Sequence, residues 1–262
     1  MSIRLSASTA QSLQTEGYCR FKVDDIAPSP DTESGLGRLQ AAVDNLPVDP
    51  YAPTANRYRR YSNGILLPWA RRVEWMPNRQ GPKGPFSEYY QSDYNPEYVS
   101  QTRHFMPFED ELKHDPFLNH IVWQDFDLTL AFWNEAQLIR PFVVGVHLVK
   151  LLVNQAGDRA VSSPDVLHQD GEPFTFVHLV KRENAVGART AVAIPDVAGK
   201  KPEEVDPATI HTQFELLVPL ESYGVLDSKV AHYVSALERG PEDRPGVRAA
   251  LLTDFTPLVP LI

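Results

Sequence analysis

A histidine and an aspartate two residues apart, His168 and Asp170, form the most chemically suggestive pair in the sequence. In an extended chain, residues i and i+2 project from the same face, so this imidazole and this carboxylate can converge on one point. Such a pair supplies two members of the 2-His-1-carboxylate set that binds non-haem iron(II) and leaves coordination positions open. The chain holds 8 histidines and 34 acidic residues, so a single His-x-Asp pair also arises by chance. A metal site therefore requires a third ligand from elsewhere in the chain.

Three downstream histidines are candidates for that third ligand. His178 lies in a hydrophobic strand and is expected to be a core residue or a hydrogen-bond partner of a ligand. His211 follows a polar loop and is expected to be exposed. His232 stands at the start of an alternating strand, where it can reach a site shared with the first pair. The spacing favours His232.

An arginine on the next downstream strand indicates which cosubstrate the metal would use. Arg248 opens the apolar segment that ends at Phe255. 2-Oxoglutarate chelates iron through its keto acid end and leaves a second carboxylate, which a guanidinium binds with two parallel hydrogen bonds. Arg244 is the alternative anchor, but it lies between Asp243 and Pro245 in a turn. We therefore expect Arg248 to hold 2-oxoglutarate.

Helical patterns dominate the first half of the chain. Apolar residues recur at helical spacing between residues 36 and 46, and residues 109–136 predict one or two helices interrupted near Pro116. This gives a helix-rich flanking part over residues 1–140. We expect apolar side chains from this part to wall the site.

The second half, residues 141–262, predicts a series of short strands separated by turn residues. The predicted strands are Val143–Val153, Phe174–Val180, Thr190–Ile194, Gln213–Val218, Val230–Ala236 and Arg248–Phe255. Strands in series without long helices between them indicate a barrel or sandwich. The fold class is therefore mainly β with flanking helices, in one domain over residues 1–262.

Composition excludes several classes of partner. With 42% hydrophobic and 23% charged residues the chain is typical of globular proteins. Its net charge is −9 and its longest basic run is the short Arg57–Arg60 stretch, so we do not expect nucleic acid as a partner. Cys19 is the only cysteine, which excludes an internal disulfide or a thiolate zinc site. The first 17 residues lack the apolar segment of a secretory signal, and no apolar run spans a bilayer. We therefore expect a cytoplasmic protein with a small-molecule substrate, as a monomer or a homodimer.

Several motifs together resemble the 2OG-Fe dioxygenase family of bacterial free amino acid hydroxylases. The resemblance covers roughly residues 50–256. The matching motifs are Arg57–Arg60, the segment Gln91–Phe105, the strand with His147, His168-Gln-Asp170-Gly171, the turn Lys181–Gly187, Asp227–His232, and Arg248 with Leu251 and Phe255.

The resemblance implies a double-stranded β-helix core, the jelly roll of the cupin-like proteins. On that core His168, Asp170 and His232 would ligate Fe(II), and Arg248 would bind 2-oxoglutarate. Dioxygen would be the second cosubstrate, with ascorbate as a stimulating reductant. Related halogenases replace the carboxylate ligand with a small residue, so the presence of Asp170 disfavours halogenation. The chain departs from many relatives at Gly187-Ala188 and before His168, which leaves the substrate open.

If the substrate is a free amino acid, its carboxylate and ammonium need polar partners. Candidate partners are Arg57, Arg59, Arg60, Arg103, Glu172 and Asn184. His104 and His147 are expected to be structural, and Tyr89, Tyr90 and Tyr94 fit either a pocket wall or the core. Desaturation, epimerisation or ring closure by the same iron chemistry remains open. A cupin-like metal-dependent isomerase or a non-catalytic binding barrel is the alternative from another class.

Overall fold

The computed structural model describes residues 7–26, 29, 31–91, 94 and 97–258. Its helices are α1 (Ala7–Glu16), α2 (Val23–Ile26), α3 (Thr32–Asp44), α4 (Asp110–Lys113), α5 (Pro116–Thr129) and α6 (Glu135–Leu138). The strands of the first half are β1 (Tyr18–Lys22), β2 (Arg57–Leu67), β3 (Arg72–Trp75), β4 (Arg79–Gly81), β5 (Gly84–Tyr89) and β6 (Arg103–Phe105). Those of the second half are β7 (Phe142–Val153), β8 (Arg159–Ala160), β9 (Phe174–Glu183), β10 (Ala185–Gly187), β11 (Thr190–Ala193), β12 (Ile210–Phe214), β13 (Glu221–Leu226), β14 (Ala231–Val234), β15 (Leu237–Arg239) and β16 (Gly246–Pro257). None of the helices within these ranges is long and apolar enough to cross a membrane.

Seven strands form the main antiparallel sheet, in the order β1-β13-β9-β16-β7-β2-β3. The central strand β16 pairs with β7 on one side and with β9 on the other. Most residues of β7 and β9 are buried on both faces of the sheet, because helices cover one face and a cavity lined by both halves of the chain lies against the other. A strand covered on both faces is almost continuously apolar. The sheet therefore provides both the core and one wall of the cavity.

Helix α5 packs against the outer face of this sheet. Pro116 occupies its first turn, and the Asp115 carboxylate accepts hydrogen bonds from two backbone amides there, as expected for a strong N-cap. A buried polar network also joins the helix to the sheet: His178 Nε2 and Thr253 Oγ1 lie 2.8 and 2.7 Å from Asp125 Oδ2. The expectation that His178 is a core residue is thus correct.

Two three-stranded sheets, β12-β11-β14 and β10-β15-β8, complete the β-structure of the second half. The cavity is lined from the main sheet by His147 and Arg248 and from β14 by His232 and Val234, so it lies between the main sheet and this smaller layer. Such a pair of antiparallel layers with helices outside confirms the mainly β class with flanking helices.

The prediction of a helix-rich first half needs correction. Helices occur where they were predicted, with α3 covering most of residues 36–46 and α4, α5 and α6 spanning the segment broken at Pro116. However, β1 to β6 also lie before residue 140, and β1 and β2 are members of the main sheet. The physical reason is that β2 begins with arginines that face a polar cavity, so its sequence lacks the apolar alternation of a half-buried strand.

In the second half, the predicted strands at 143–153, 174–180, 190–194, 230–236 and 248–255 are present as β7, β9, β11, β14 and β16. The strand predicted at 213–218 is displaced to β12, and β13 was not predicted. Gly224 interrupts the apolar pattern of β13, and a side chain there would collide with the Phe176 ring of the neighbouring strand.

Candidate metal centre and adjoining cavity

Backbone pairing between two distant segments brings two histidines together. His168 lies in the loop between β8 and β9, and His232 lies on β14. Each backbone N–H donates to the other residue's carbonyl oxygen at 2.9 Å, which forms an isolated antiparallel bridge. The two imidazole ring centroids are consequently 4.4 Å apart.

Asp170 is the third member of the cluster, and hydrogen bonds to a distant residue, Asp227, hold its loop in place. The two carboxylate oxygens of Asp227 accept hydrogen bonds from the backbone N–H groups of Asp170 and Gly171, at 2.7 and 3.0 Å. Gly171 adopts φ +87°, a conformation that favours glycine, and a side chain there would lie 2.5 Å from the Tyr94 ring. Thr175 Oγ1 donates to Asp170 Oδ2 at 2.9 Å and orients the carboxylate.

The three side chains present their ligand atoms to one point. His168 Nε2 lies 3.6 Å from Asp170 Oδ1, and His232 Nε2 lies 3.4 Å from Asp170 Oδ2. One ligand atom from each of the three residues lies within 4.8 Å of the others. Two imidazole nitrogens and a carboxylate on one side of a cavity are the donor set of a facial-triad iron(II) site.

The protonation of these groups also suits a metal. His168 Nδ1 lies 2.9 Å from the Val166 carbonyl oxygen, which can only accept, so Nδ1 carries a proton and Nε2 is the atom available to a metal. Burial opposes the charged form of His168, but the adjacent Asp170 carboxylate raises the pKa of this imidazole, so a metal ion would displace a proton from Nε2. Burial lowers the pKa of His232 to about 4 despite the nearby Asp170 charge, so its imidazole is neutral. Burial opposes ionisation of Asp170, but the two histidines and the Thr175 hydroxyl bring the pKa of its carboxyl well below the ordinary value. The residues present therefore fit an iron(II) ion.

Arg248 lines the same cavity. It is 6% exposed, and its Nε and Nη2 atoms are buried without a protein partner. Its cross-strand neighbour Arg182 donates to Glu215 at 2.9 Å and is not part of the cavity lining, whereas Arg248 is. In contrast, Arg244 is a surface residue paired with Glu242 and Glu183. The geometry favours Arg248 over Arg244 as a carboxylate anchor.

The wall contributed by the first half is cationic and aromatic, which corrects the expectation of apolar walls. Arg57 pairs with the buried Asp49 at 2.8 Å and keeps Nη2 unpartnered within the protein. Arg59 and Arg103 both stack on Tyr89, with guanidinium carbons 5.1 and 4.8 Å from its ring centroid. Arg57, Arg59 and Arg103, which the sequence offered as candidate substrate partners, line the cavity, but they lie on strands β2 and β6 that were not predicted.

A polar chain continues from this wall across three neighbouring strands. Arg59 Nη2 lies 2.6 Å from His147 Nδ1, and His147 Nε2 lies 3.0 Å from Asp254 Oδ2. The Gly145 N–H donates to Asp254 Oδ1, and a side chain at Gly145 would collide with the same carboxylate. His147 was expected to be structural, yet it lines the cavity.

The remaining predicted residues divide between the cavity and the surface. Glu172 lines the cavity, and burial together with Asp254 and Asp170 raises the pKa of its carboxyl well above the ordinary value. The prediction for Asn184 is wrong: its side chain binds the backbone of Glu242 and Arg244 at a surface turn and does not line the cavity.

The other histidines and aromatics also have clear places. His211 is exposed, as expected, and His104 is half exposed beside Glu88. Tyr89 lines the cavity, whereas Tyr90 and Tyr94 are exposed. Arg60 binds the Pro107 carbonyl and Glu109 rather than the cavity. Within the Gln91–Phe105 motif, Ser92, Asp93 and Asn95 lie outside the described residues.

Sequence reasoning missed four residues that shape the site: Thr175, Tyr223, Asp227 and Asp254. One usable signal existed for Asp254, a single carboxylate inside the otherwise apolar segment that ends at Phe255. The Asp227 side chain acts on backbone amides 56 and 57 residues away, which no local pattern reveals.

Comparison with known proteins agrees with this geometry. The family model described as 2OG-Fe dioxygenase matches residues 40–254. L-isoleucine-4-hydroxylase from Bacillus thuringiensis is 26% identical over 228 residues, which cover 86% of this chain and 84% of the relative. The 3(1)-hydroxy-L-isoleucine 4-dioxygenase of Pantoea ananatis (strain AJ13355) is 25% identical over 162 residues, 60% of each chain.

A solved structure gives the same fold. The crystal structure of IDO from Bacillus thuringiensis has a TM-score of 0.73 and 20% sequence identity, with 99% of each chain covered. This likeness confirms the predicted jelly-roll, or double-stranded β-helix, architecture. Since the family model covers most of the sequence and the site has the expected donors, the chain belongs to the 2OG-Fe dioxygenase family.

Proposed function

We propose that this 2-oxoglutarate-dependent dioxygenase hydroxylates an unactivated C–H of a free L-amino acid or amino acid derivative. The observation that carries the proposal is the convergence of two imidazoles, one carboxylate and one unpaired arginine in a single cavity. Both relatives with named activities act, by their names, on L-isoleucine or a hydroxylated L-isoleucine, which supports an amino acid as substrate.

In this proposal His168, Asp170 and His232 hold Fe(II), and Arg248 holds the distal carboxylate of 2-oxoglutarate. When bound, the iron supplies the activation of dioxygen, so that one oxygen atom enters the substrate and the other enters succinate as carbon dioxide leaves. His168 and His232 would donate Nε2 lone pairs to the metal, which for His168 means displacing a proton, and the Asp170 carboxylate would offset one of the metal's charges. Arg248 fixes the orientation of the cosubstrate by charge and by its planar fork.

Apolar side chains around Arg248 exclude water from the reacting atoms. They are Val149, Leu151, Val177, Ala250 and Leu252 from β7, β9 and β16. Water exclusion strengthens the ionic contacts of the cosubstrate and protects reactive species from side reactions. The polar wall formed by β2 and β6 is left for the substrate.

A panel of free L-amino acids tests the proposal. The purified protein is supplied with Fe(II), 2-oxoglutarate and ascorbate, which we expect to stimulate turnover by keeping the iron reduced. At least one amino acid should accelerate succinate release and gain one oxygen atom, as seen by mass spectrometry. Loss of two hydrogen atoms would instead indicate desaturation. If no amino acid stimulates succinate release, the proposed substrate class is wrong.

The matched pair Asp170→Ala and Asp158→Ala tests the metal site. Asp158 is an exposed aspartate in a surface turn and serves as the control. Removal of the Asp170 carboxylate should abolish both iron binding and amino acid-dependent succinate release, because two imidazoles alone leave the metal weakly held. Iron binding that survives in Asp170→Ala would place the metal elsewhere.

A further inference from the structure

We propose that the wall built by β2, β6, the middle of β7, the C-terminal part of β16 and the loop before β9 selects a substrate that is a zwitterion with no net charge. Its carboxylate lies against Arg59 and Arg103, and its ammonium lies against Glu172 and Asp254. This inference rests on the proposed function and assigns the residues that would distinguish a free amino acid from its derivatives.

The first argument is the set of buried polar atoms without a protein partner. Beyond Arg248 and Nδ1 of the metal-site His232, the cavity contains Arg57 Nη2, Arg59 Nε, Arg103 Nε and Glu172 Oε2 in this condition. Buried donors and acceptors are costly when they lack partners, so a cluster of them around one cavity indicates a polar ligand. Three are donors and one is an acceptor, which matches a carboxylate and an ammonium on one molecule.

The second argument is the balance of charge in the cavity. Asp170 and Arg248 belong to the iron and 2-oxoglutarate part, and the charge of Arg57 is offset by Asp49. Two cations and two carboxyl groups of the lining remain, namely Arg59, Arg103, Glu172 and Asp254. The carboxylate of a zwitterion compensates the two guanidinium groups, and its ammonium stabilises the ionised forms of Glu172 and Asp254, whereas a ligand with only one charged end leaves one of these buried sets uncompensated.

The third argument is that His147 separates the two ends of this subsite. Arg59 can only donate to Nδ1, so the His147 proton is on Nε2, where it donates to Asp254. The imidazole therefore lies between the guanidinium of Arg59 and the carboxyl group of Asp254 and hydrogen-bonds to both. Both groups keep hydrogen-bonding capacity toward a ligand, and we assign His147 as a positioning residue.

The fourth argument is the crowding of the two cations. Arg59 and Arg103 share the Tyr89 and Phe105 rings, with guanidinium carbons 4.4 and 5.7 Å from the Phe105 centroid. Burial, followed by repulsion from Arg59, lowers the pKa of Arg103 to about 10. A carboxylate placed against both guanidinium groups relieves this repulsion.

Binding of three forms of one amino acid tests the inference. The probes are the panel amino acid with the highest turnover, its methyl ester and its N-acetyl derivative. Calorimetry is performed on the enzyme loaded with Fe(II) and 2-oxoglutarate without oxygen, so that binding is measured without turnover. The ester lacks the carboxylate and the N-acetyl form lacks the ammonium, and each should bind at least about tenfold more weakly than the free amino acid.

Charge-removing variants assign each end of the zwitterion. Glu172→Gln should weaken the binding of the free amino acid about tenfold or more. It should leave the binding of the N-acetyl form unchanged, because that form has no ammonium group for Glu172 to contact. Arg103→Gln should likewise weaken the binding of the free amino acid but not that of the ester, because the ester has no carboxylate for Arg103 to contact. The controls are the exposed Glu111→Gln and Arg72→Gln. The binding of 2-oxoglutarate should be unchanged in all four variants.

His147→Phe keeps a ring against Tyr61 but removes both hydrogen bonds. The KM for the amino acid should rise about tenfold, while the KM for the cosubstrate stays within about twofold. Equal changes in both KM values would contradict the positioning role.

Two results would overturn the inference itself: equal binding of the three probes, or equal weakening of all three by Glu172→Gln. If amino acids are turned over but the three probes bind equally well, the proposed function remains supported and only the proposal of a zwitterion subsite is wrong. Absence of amino acid-stimulated succinate release would overturn both.

Discussion

At the scale of single residues, the chemistry of the cavity depends on which polar side-chain atoms have no hydrogen-bond partner within the protein. Arg182 and Arg248 face each other across two strands, yet Arg182 is paired with Glu215 and Arg248 has no protein partner at two of its nitrogens. Arg182 also keeps one nitrogen without a partner, but Arg248 is the one of the two that lines the cavity, so Arg248 is the proposed ligand anchor.

Arg248→Met and Arg244→Met form a matched pair that separates the two possible anchors. Loss of the Arg248 guanidinium should raise the KM for the cosubstrate about 30-fold or more, since the buried carboxylate of 2-oxoglutarate would lose its charged partner. Arg244 is exposed and paired at the surface, so its replacement should change that KM by less than about twofold. A larger effect at Arg244 would move the anchor to the turn.

The Asp254 carboxyl should make folding depend on pH. Burial and the nearby Asp170 raise its pKa from 3.8 to about 7, so the folded state binds this proton more tightly than the unfolded state. The stability that results is full below the unfolded value and is lost as the pH rises toward about 7. The iron-free protein should therefore lose free energy of unfolding relative to Asp254→Asn between about pH 4 and pH 7.

Denaturant titrations at several pH values measure this difference. For the control variant Asp158→Asn, at an exposed position, the free energy of unfolding should change with pH in the same way as in the parent protein. Parallel curves for the parent and Asp254→Asn would show that Asp254 titrates normally.

At the scale of elements, the site depends on segments that approach from opposite sides of the cavity. β14 brings His232, the loop after β8 brings His168 and Asp170, and β2 brings Arg59. The turn between β13 and β14 contributes Asp227, which holds the ligand loop through its backbone. The loop geometry is therefore set by a distant turn rather than by its own sequence.

Asp227→Asn should lower iron affinity without unfolding the protein. The amide oxygen of an asparagine can accept a hydrogen bond from one of the two backbone N–H groups, but its NH2 group cannot accept from the other. The loop that contains Asp170 therefore loses one of its two hydrogen bonds to residue 227. Loss of such an outer hydrogen bond usually weakens metal binding about 10–100-fold, which an iron titration measures. Asp206→Asn, which removes charge at a surface turn, is the control. Unchanged affinity in Asp227→Asn would show that the loop holds itself.

For the molecule as a whole, ligand binding and folding are linked. In the proposed site, iron and 2-oxoglutarate would bind residues of β14, β16 and the loop before β9, which come together only in the folded chain. A ligand that binds only the folded state at about 100 times its dissociation constant adds about 2.7 kcal/mol of stability. Cys19 offers a reporter, because it is buried and burial raises the pKa of its thiol to about 12.

Alkylation of Cys19 by iodoacetamide should be slow in the native protein and fast after unfolding. Fe(II) with 2-oxoglutarate should raise the thermal midpoint by several degrees and shift the onset of alkylation with it, as measured by mass spectrometry at increasing temperature. Asp170→Ala should show neither shift. Equal shifts in both proteins would mean that the ligands stabilise through another site.

The sequence by itself determined the donor types and most of the strands. A His-x-Asp pair, a later histidine that opens a strand, and an arginine at the start of the last strand follow from local spacing and side-chain chemistry, which a linear pattern preserves. The helix broken at Pro116 follows for the same reason, because proline and its capping aspartate act within one turn.

Only the tertiary structure decided which distant groups meet. The pairing of β2 with β7 and of β7 with β16 brings Arg59, His147 and Asp254 into one chain of hydrogen bonds. The same pairing turned a stretch rich in arginine into the wall of the cavity, while the turn after β9 kept Asn184 away from it. Register between strands depends on the whole sheet, so side chains 88 and 107 residues apart become neighbours without a local signal.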